Sequence, residues 1–222
     1  MGGKQDDRWV VFDLGETLVD ESRNWANWAT YIGVPKLTFF AVFGAVIASG
    51  RPHTDAFAYF RPNFSLPAEV PRKAQAGLPW SFDADDLYAD ALPTLAVLRE
   101  AGLRLAVMAN QPAEAMPFLD TLPVDAVAVS AEWGIEKPDP LFFGRVCEVL
   151  DAPPERIAYV GDRVDNDVVP AHALGMTAVH VVRGPWGHLQ KHWPQAADAD
   201  LRCDSLTDLP DGLRRVGFLG DR

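Results

Sequence analysis

Residues 157–182 read IAYVGDRVDNDVVPAHALGMTAVHVV. Ile157 to Val160 is a short, continuous apolar run, the pattern of a strand covered on both faces. Asp167 to Leu174 carries a helical pattern ended by Gly175, and Thr177 to Val182 reads as a second strand. The same rhythm extends toward the N-terminus. A helix is predicted over Leu92 to Glu100, ended by Gly102, then a strand over Leu103 to Met108 and a helix after Pro112. Asp125 to Val129 reads as a strand and Pro140 to Leu150 as a helix. Far upstream, Trp9 to Phe12 is another buried-strand run, and it ends in Asp13. Strands alternating with helices predict an α/β fold with a parallel sheet covered on both faces.

From Glu21 to Tyr88 the pattern differs. Trp25, Trp28, Tyr31 and Ile32 recur at helical spacing, as do Phe39, Phe43, Val46 and Ile47, with Pro35 placed to open the second helix. Phe57 and Phe60 suggest a third helix. Pro62, Pro67, Pro71 and Pro79 then argue against regular structure. The expected organisation is a core of residues 1–20 and 89–222 interrupted by a small helical insert over 21–88.

The formal charge of -11, with no run of Lys and Arg, argues against nucleic acid and anionic membranes as partners. The most apolar stretch, Leu37 to Ala48, falls far short of the roughly 20 residues that span a bilayer. The polar start MGGKQDDRW carries no signal-peptide pattern, so the expected location is cytoplasmic. Cys147 and Cys203 form no CxxC pair and read as reduced thiols.

Ligands of parallel α/β sheets bind at the carboxyl ends of the strands. Three polar strand ends fall there: Asp13, Asn110 and Gly161-Asp162. Alone, Asp13 suits a nucleophile, a metal ligand or a helix-capping turn. Asp162 and Asp167 are oxygen donors of the kind Mg²⁺ prefers, and Asp167 equally suits an N-cap. Asp165 is an extra candidate or a solvated residue. Lys137, in GIEKPDP, sits on a stretch stiffened by Pro138 and Pro140, where an ammonium either pairs with a phosphate and Asp13 or faces solvent.

Taken together, the order and spacing of these residues resemble the haloacid dehalogenase-like hydrolase superfamily over almost the whole chain. Its motifs are a strand ending in Asp-x-Asp-x-Thr, a strand ending in Ser or Thr, a Lys, and Gly-Asp followed by a further Asp. The counterparts are Asp13 with Thr17, Ala109-Asn110, Lys137, and Asp162 with Asp167. The resemblance implies a Rossmann-like core, a small α-helical cap at 21–88, and Mg²⁺ held by Asp13, the Gly15 carbonyl, Asp162 and Asp167. It implies Asp13 as nucleophile, Lys137 on the phosphoryl group and Asp13, and Thr17 and Asn110 at the phosphate. The expected activity is hydrolysis of a small phosphorylated metabolite through an aspartyl intermediate.

Two positions depart from the pattern. The second Asp of the first motif, the family's general acid and base, is Gly15, and the second-motif hydroxyl is Ala109. Glu16 is either a substitute acid or a solvated loop residue. Gly15 also keeps open a catalytically impaired phosphate- and metal-binding protein, and a C–P or C–halogen hydrolase. A phosphonatase would need a cap lysine, and the insert offers Lys36 and Lys73. His188 and His192, four apart, suit one helical face, but Leu189 stands where a zinc protease has Glu. Arg51 and His53 read as surface loop or as substrate-facing.

Overall fold

The computed structural model describes residues 7–220; the opening MGGKQD lies outside them. Six strands form one parallel sheet: β1 (Trp9–Phe12), β2 (Arg104–Ala109), β3 (Ala126–Val129), β4 (Ile157–Gly161), β5 (Thr177–Val181) and β6 (Leu201–Cys203). Their order is β3-β2-β1-β4-β5-β6. The helices of the same body are α4 (Ala91–Glu100), α5 (Met116–Leu119), α6 (Ser130–Trp133), α7 (Pro140–Leu150), α8 (Val169–Leu174), α9 (Gly184–Gln190) and α10 (Leu209–Arg215). Those of the insert are α1 (Ser22–Ile32), α2 (Lys36–Ala48) and α3 (Leu66–Gln75).

β1 sits at the middle of the sheet, and all four of its residues are buried. This burial on both faces is why the strand reads as an unbroken apolar run. On one face Trp9, Val11, Met108 and Tyr159 pack against Phe142, Phe143 and Val146 of α7. Phe12 pairs with Val107 on one side and Val160 on the other, so the ends of β1, β2 and β4 lie side by side. After β1 the chain builds β2 and β3 on one flank and β4 to β6 on the other. The switch between β1 and β4 is where such sheets open a ligand crevice.

The chain divides into two compact units, one running to Asp20 and resuming at Leu87, the other comprising Glu21–Asp86. The insert has its own aromatic core. Phe57 stacks on Phe64 at 4.2 Å, Trp28 meets both rings edge-on, and Trp25 packs on Phe43 at 4.6 Å. His53 also joins this cluster, against Trp25 and Phe43. Arg51 pairs with Asp55 in an exposed position.

Three expectations need correction. The proline-rich stretch does contain a helix, α3: Pro67 falls in its first turn, where an N–H has no intrahelical partner anyway, and only Pro71 interrupts the ladder. The third helix expected around Phe57 and Phe60 is a 3₁₀ segment, His53–Tyr59, with Phe60 just beyond its end. α9 ends at Gln190, so His188 and His192 do not share a helix. The edge strand β6 and helix α10 were not anticipated.

Lys73 is buried within the insert, its ammonium donating to the Leu78 and Pro79 carbonyls and lying 5.0 Å from the Trp28 ring centre. Burial, with Arg23 adding, pushes it down from 10.5 to about 8. Between those values the unfolded chain binds the extra proton, so this lysine makes stability rise with pH over that window. We expect urea midpoints to climb from pH 8 to pH 10 by a larger increment in the native chain than in Lys73→Met.

Candidate active site

The first strand delivers Asp13 at the crevice, with its N–H bonded to the Val160 carbonyl at 2.8 Å. β4 runs directly into Gly161-Asp162. A π-helical turn over Val164–Val168 follows, and α8 begins only at Val169. Asp167 therefore lies within that turn rather than capping a helix, and its carboxylate faces back over Gly161. A Cβ on Gly161 would stand 2.3 Å from the Asp167 carboxylate, so the close approach requires glycine there. Lys137 enters from the segment before α7, followed by a cis bond to Pro138.

These residues converge. The Lys137 Nζ lies 2.8 Å from Asp13 Oδ1 and 2.6 Å from Asp167 Oδ1. Asp167 Oδ2 accepts from the Arg163 N–H at 3.0 Å. One carboxylate oxygen each from Asp13, Asp162 and Asp167 falls within 4.8 Å of the others. Lys137, Asp162 and Asp167 are all at most 3% exposed. Asp162 Oδ2 is buried and has no hydrogen-bond partner among the described residues.

The electrostatics follow from three clustered carboxylates, two of them paired with one ammonium. Burial opposes the charge on Lys137, but Asp13 and Asp167 hold it well above an ordinary lysine. Burial lifts Asp162 well above the usual carboxylate range, and Asp167, Asp13 and Glu16 add to the rise. Burial also raises Asp167, to about 6, against the opposing pull of Lys137. Such a cluster is short of positive charge, and its unpartnered oxygen lies among hard oxygen donors. The donor set thus fits a hard divalent cation such as Mg²⁺.

The remaining expected residues are placed as follows. Both ends of the Asn110 amide engage the Lys137 main chain, donating to its carbonyl and accepting from its N–H at 2.8 Å each. That side chain fixes the lysine segment, where a phosphate contact had been expected. Thr17 is fully buried and its hydroxyl has no partner among the described residues. Asp165 stands apart from the cluster, held in a two-point pair by Arg163 and bonded by Gln190. Lys73 is occupied inside the insert, as described above, and Lys36 opens α2 in an exposed position.

Sequence reasoning missed two supporting side chains. Tyr159 donates to the Met108 carbonyl at 2.6 Å, and its ring centre lies 5.3 Å from the Lys137 ammonium. His180 is fully buried beside Gly161, with Nε2 3.0 Å from the Asp162 carbonyl, and burial pushes its ring down toward the neutral form. Both sit in apolar strand runs, where nothing in the sequence separates them from core.

A family model for haloacid dehalogenase-like hydrolases matches residues 8–175. The chain belongs to that hydrolase family. Over 136 residues it is 34% identical to the glyceraldehyde 3-phosphate phosphatase of Methanopyrus kandleri, covering 58% of this chain and 57% of that protein. It is 34% identical over 132 residues to the phosphoserine phosphatase of Thermus thermophilus, covering 55% of this chain and 49% of that protein. The chain thus matches about half the length of these relatives. The fold is shared with the crystal structure of a 2-haloacid dehalogenase from Pseudomonas syringae, at TM-score 0.55 and 22% identity over 94% of this chain and 99% of that one. No single helix among the described residues is long and apolar enough to cross a membrane.

Proposed function

We propose that this hydrolase is a Mg²⁺-dependent phosphatase of a small phosphorylated metabolite, with Asp13 as nucleophile and the insert as a substrate-selecting cap. The observation that carries the reading is the unpartnered Asp162 oxygen set beside Asp13 and Asp167, two carboxylates that share one lysine. Asp13, Asp162, Asp167 and the Gly15 carbonyl would hold the cation, which when bound supplies positive charge to the carboxylates and the phosphate. Lys137 holds Asp13 Oδ1, which leaves Oδ2 to attack phosphorus. The new Asp13–phosphorus bond forms as the ester oxygen departs with its electron pair. Water then attacks that phosphorus, the Asp13–phosphorus bond breaks to restore the carboxylate, and inorganic phosphate leaves, with the water's proton passing to solvent. Lys137 offsets charge on the transferring group throughout. The Asp162–Asp167 pair argues against metal-free C–halogen chemistry, and the engagement of Lys73 inside the insert argues against a Schiff base there.

Hydrolysis of an activated aryl phosphate, with and without Mg²⁺, tests this reading, because such a leaving group needs little protonation. Metal-dependent turnover supports it. No turnover in folded protein that binds Mg²⁺ would leave a phosphate- and metal-binding protein instead. Gly15 is the reason to expect discrimination between leaving groups, since general acid catalysis contributes about 10²–10⁴-fold. The Gly15→Asp variant should therefore hydrolyse alkyl phosphates about 10²-fold faster, the low end of that range, and gain much less on the aryl ester. Comparing kcat on the two substrate types checks it.

A further inference from the structure

Glu16 is the residue of the nucleophile loop whose backbone is least natural. Its φ is 52°, in the left-handed region that disfavours a side chain with a Cβ. It is nonetheless buried, at 6% exposure. Such a conformation persists only where neighbours over-determine it. Here they do. The Glu16 N–H donates to the Val19 carbonyl at 2.7 Å. Its Oε2 accepts a 2.6 Å hydrogen bond from the Tyr88 hydroxyl. The side chain lies against Gly184, where a Cβ would stand 2.6 Å from Glu16 atoms, so glycine makes the seat.

Tyr88 is itself held in place. Its N–H bonds to the Leu18 carbonyl at 3.0 Å. The Arg183 guanidinium covers its ring at 4.1 Å and donates to the Thr17 carbonyl at 2.9 Å. Arg183 is fixed in turn by two hydrogen bonds to Asp90, at 3.1 and 2.6 Å, and Asp90 also accepts from Ser205 Oγ and the Leu206 N–H. Consecutive residues of the loop, Glu16 and Thr17, are thus gripped by two side chains that stack on each other.

We propose that the Glu16–Tyr88 hydrogen bond is a positioning clasp for the loop carrying Asp13 and Gly15, and that Glu16 serves as its anchor and not as the missing acid–base group. A carboxylate accepting a short bond from a half-buried phenol is a strong, directional tie. Its carboxylate is engaged by that phenol and its side chain is lodged against Gly184, whereas a group exchanging protons with a leaving group must reach it.

The activity arm of the test rests on the phosphatase reading; the exchange arm does not. Glu16→Gln keeps an acceptor oxygen for Tyr88, whereas Glu16→Ala and Tyr88→Phe each remove the bond. With an aryl phosphate at saturating Mg²⁺, Glu16→Gln should keep kcat within about threefold and leave the pH–rate profile unchanged. Glu16→Ala and Tyr88→Phe should each lower kcat about tenfold with little change in KM, and the double variant should be no worse than either single one. Hydrogen exchange of amides 14–18 should quicken in those two variants and not in Glu16→Gln. A Glu16→Gln enzyme as slow as Glu16→Ala, with one limb of its pH profile lost, overturns the proposal in favour of acid–base catalysis. Unchanged exchange in Tyr88→Phe overturns it directly. Faster exchange in Glu16→Ala and Tyr88→Phe, where the native chain hydrolyses no phosphate ester, retains the clasp and rejects the phosphatase reading.

Discussion

Asp13→Asn should abolish aryl phosphate hydrolysis, by about four orders of magnitude or more, as removal of a covalent nucleophile does. The same change should stabilise the metal-free protein. Asn is isosteric and keeps an oxygen for the Lys137 ammonium, now 2.8 Å from Asp13 Oδ1. It removes one of three clustered carboxylates, and so relieves repulsion that already raises Asp162 and Asp167. A gain of about 1 kcal/mol would lift the midpoint of a chain this size by roughly 2–4 °C. Activity assays and metal-free thermal melts read the two effects separately. A variant that is inactive but less stable would mean that Asp13 is held more by favourable contacts than by need for chemistry.

Lys137→Met makes the opposite change. It removes the one ammonium between Asp13 and Asp167 and leaves buried negative charge without a partner. Breaking a buried pair in this way costs about 3–5 kcal/mol. The loss should depend on pH. Folded-state carboxylates raised above their unfolded values bind protons more readily when folded, so stability falls as pH rises through the folded values. With Asp167 at about 6 even beside the lysine, the Met variant should be weakest above pH 7 and recover toward pH 5. Millimolar Mg²⁺ should restore part of the difference at pH 8, because a cation replaces the missing charge. Urea midpoints at pH 5 and pH 8, with and without Mg²⁺, measure all of this. Hydrolysis should fall about 10³-fold, a loss of phosphate charge stabilisation of the size seen when one such donor is removed.

How legible these features were depended on what each residue's neighbours are. Trp9–Phe12 and Ile157–Gly161 were readable because strands buried on both faces must be apolar throughout. The edge strand Leu201–Cys203 was not, since it is three residues long with Arg202 facing outward. α3 was hidden by prolines whose positions only the helix register makes tolerable. Asp13, Lys137, Asp162 and Asp167 were legible as a set, through spacing, though each alone is an ordinary polar residue. Asn110 was noticed for its side chain but is bound to the Lys137 backbone, a partner no linear motif announces. Tyr88 and Arg183 were invisible for the same reason: their contacts with residues 16 and 17 arise only when the sheet brings distant segments together.

The pairing of Trp9 with Ile157 at the centre of the sheet also governs when the acidic cluster is assembled. Joining segments so far apart in sequence carries a loop-closure cost that local helices do not meet. During synthesis Asp13 is made well before Lys137, Asp162 and Asp167. A nascent or truncated chain ending before β4 therefore carries Asp13 without the two carboxylates that cluster with it. The cluster is thus completed late and nearly all at once, when β4 docks beside β1.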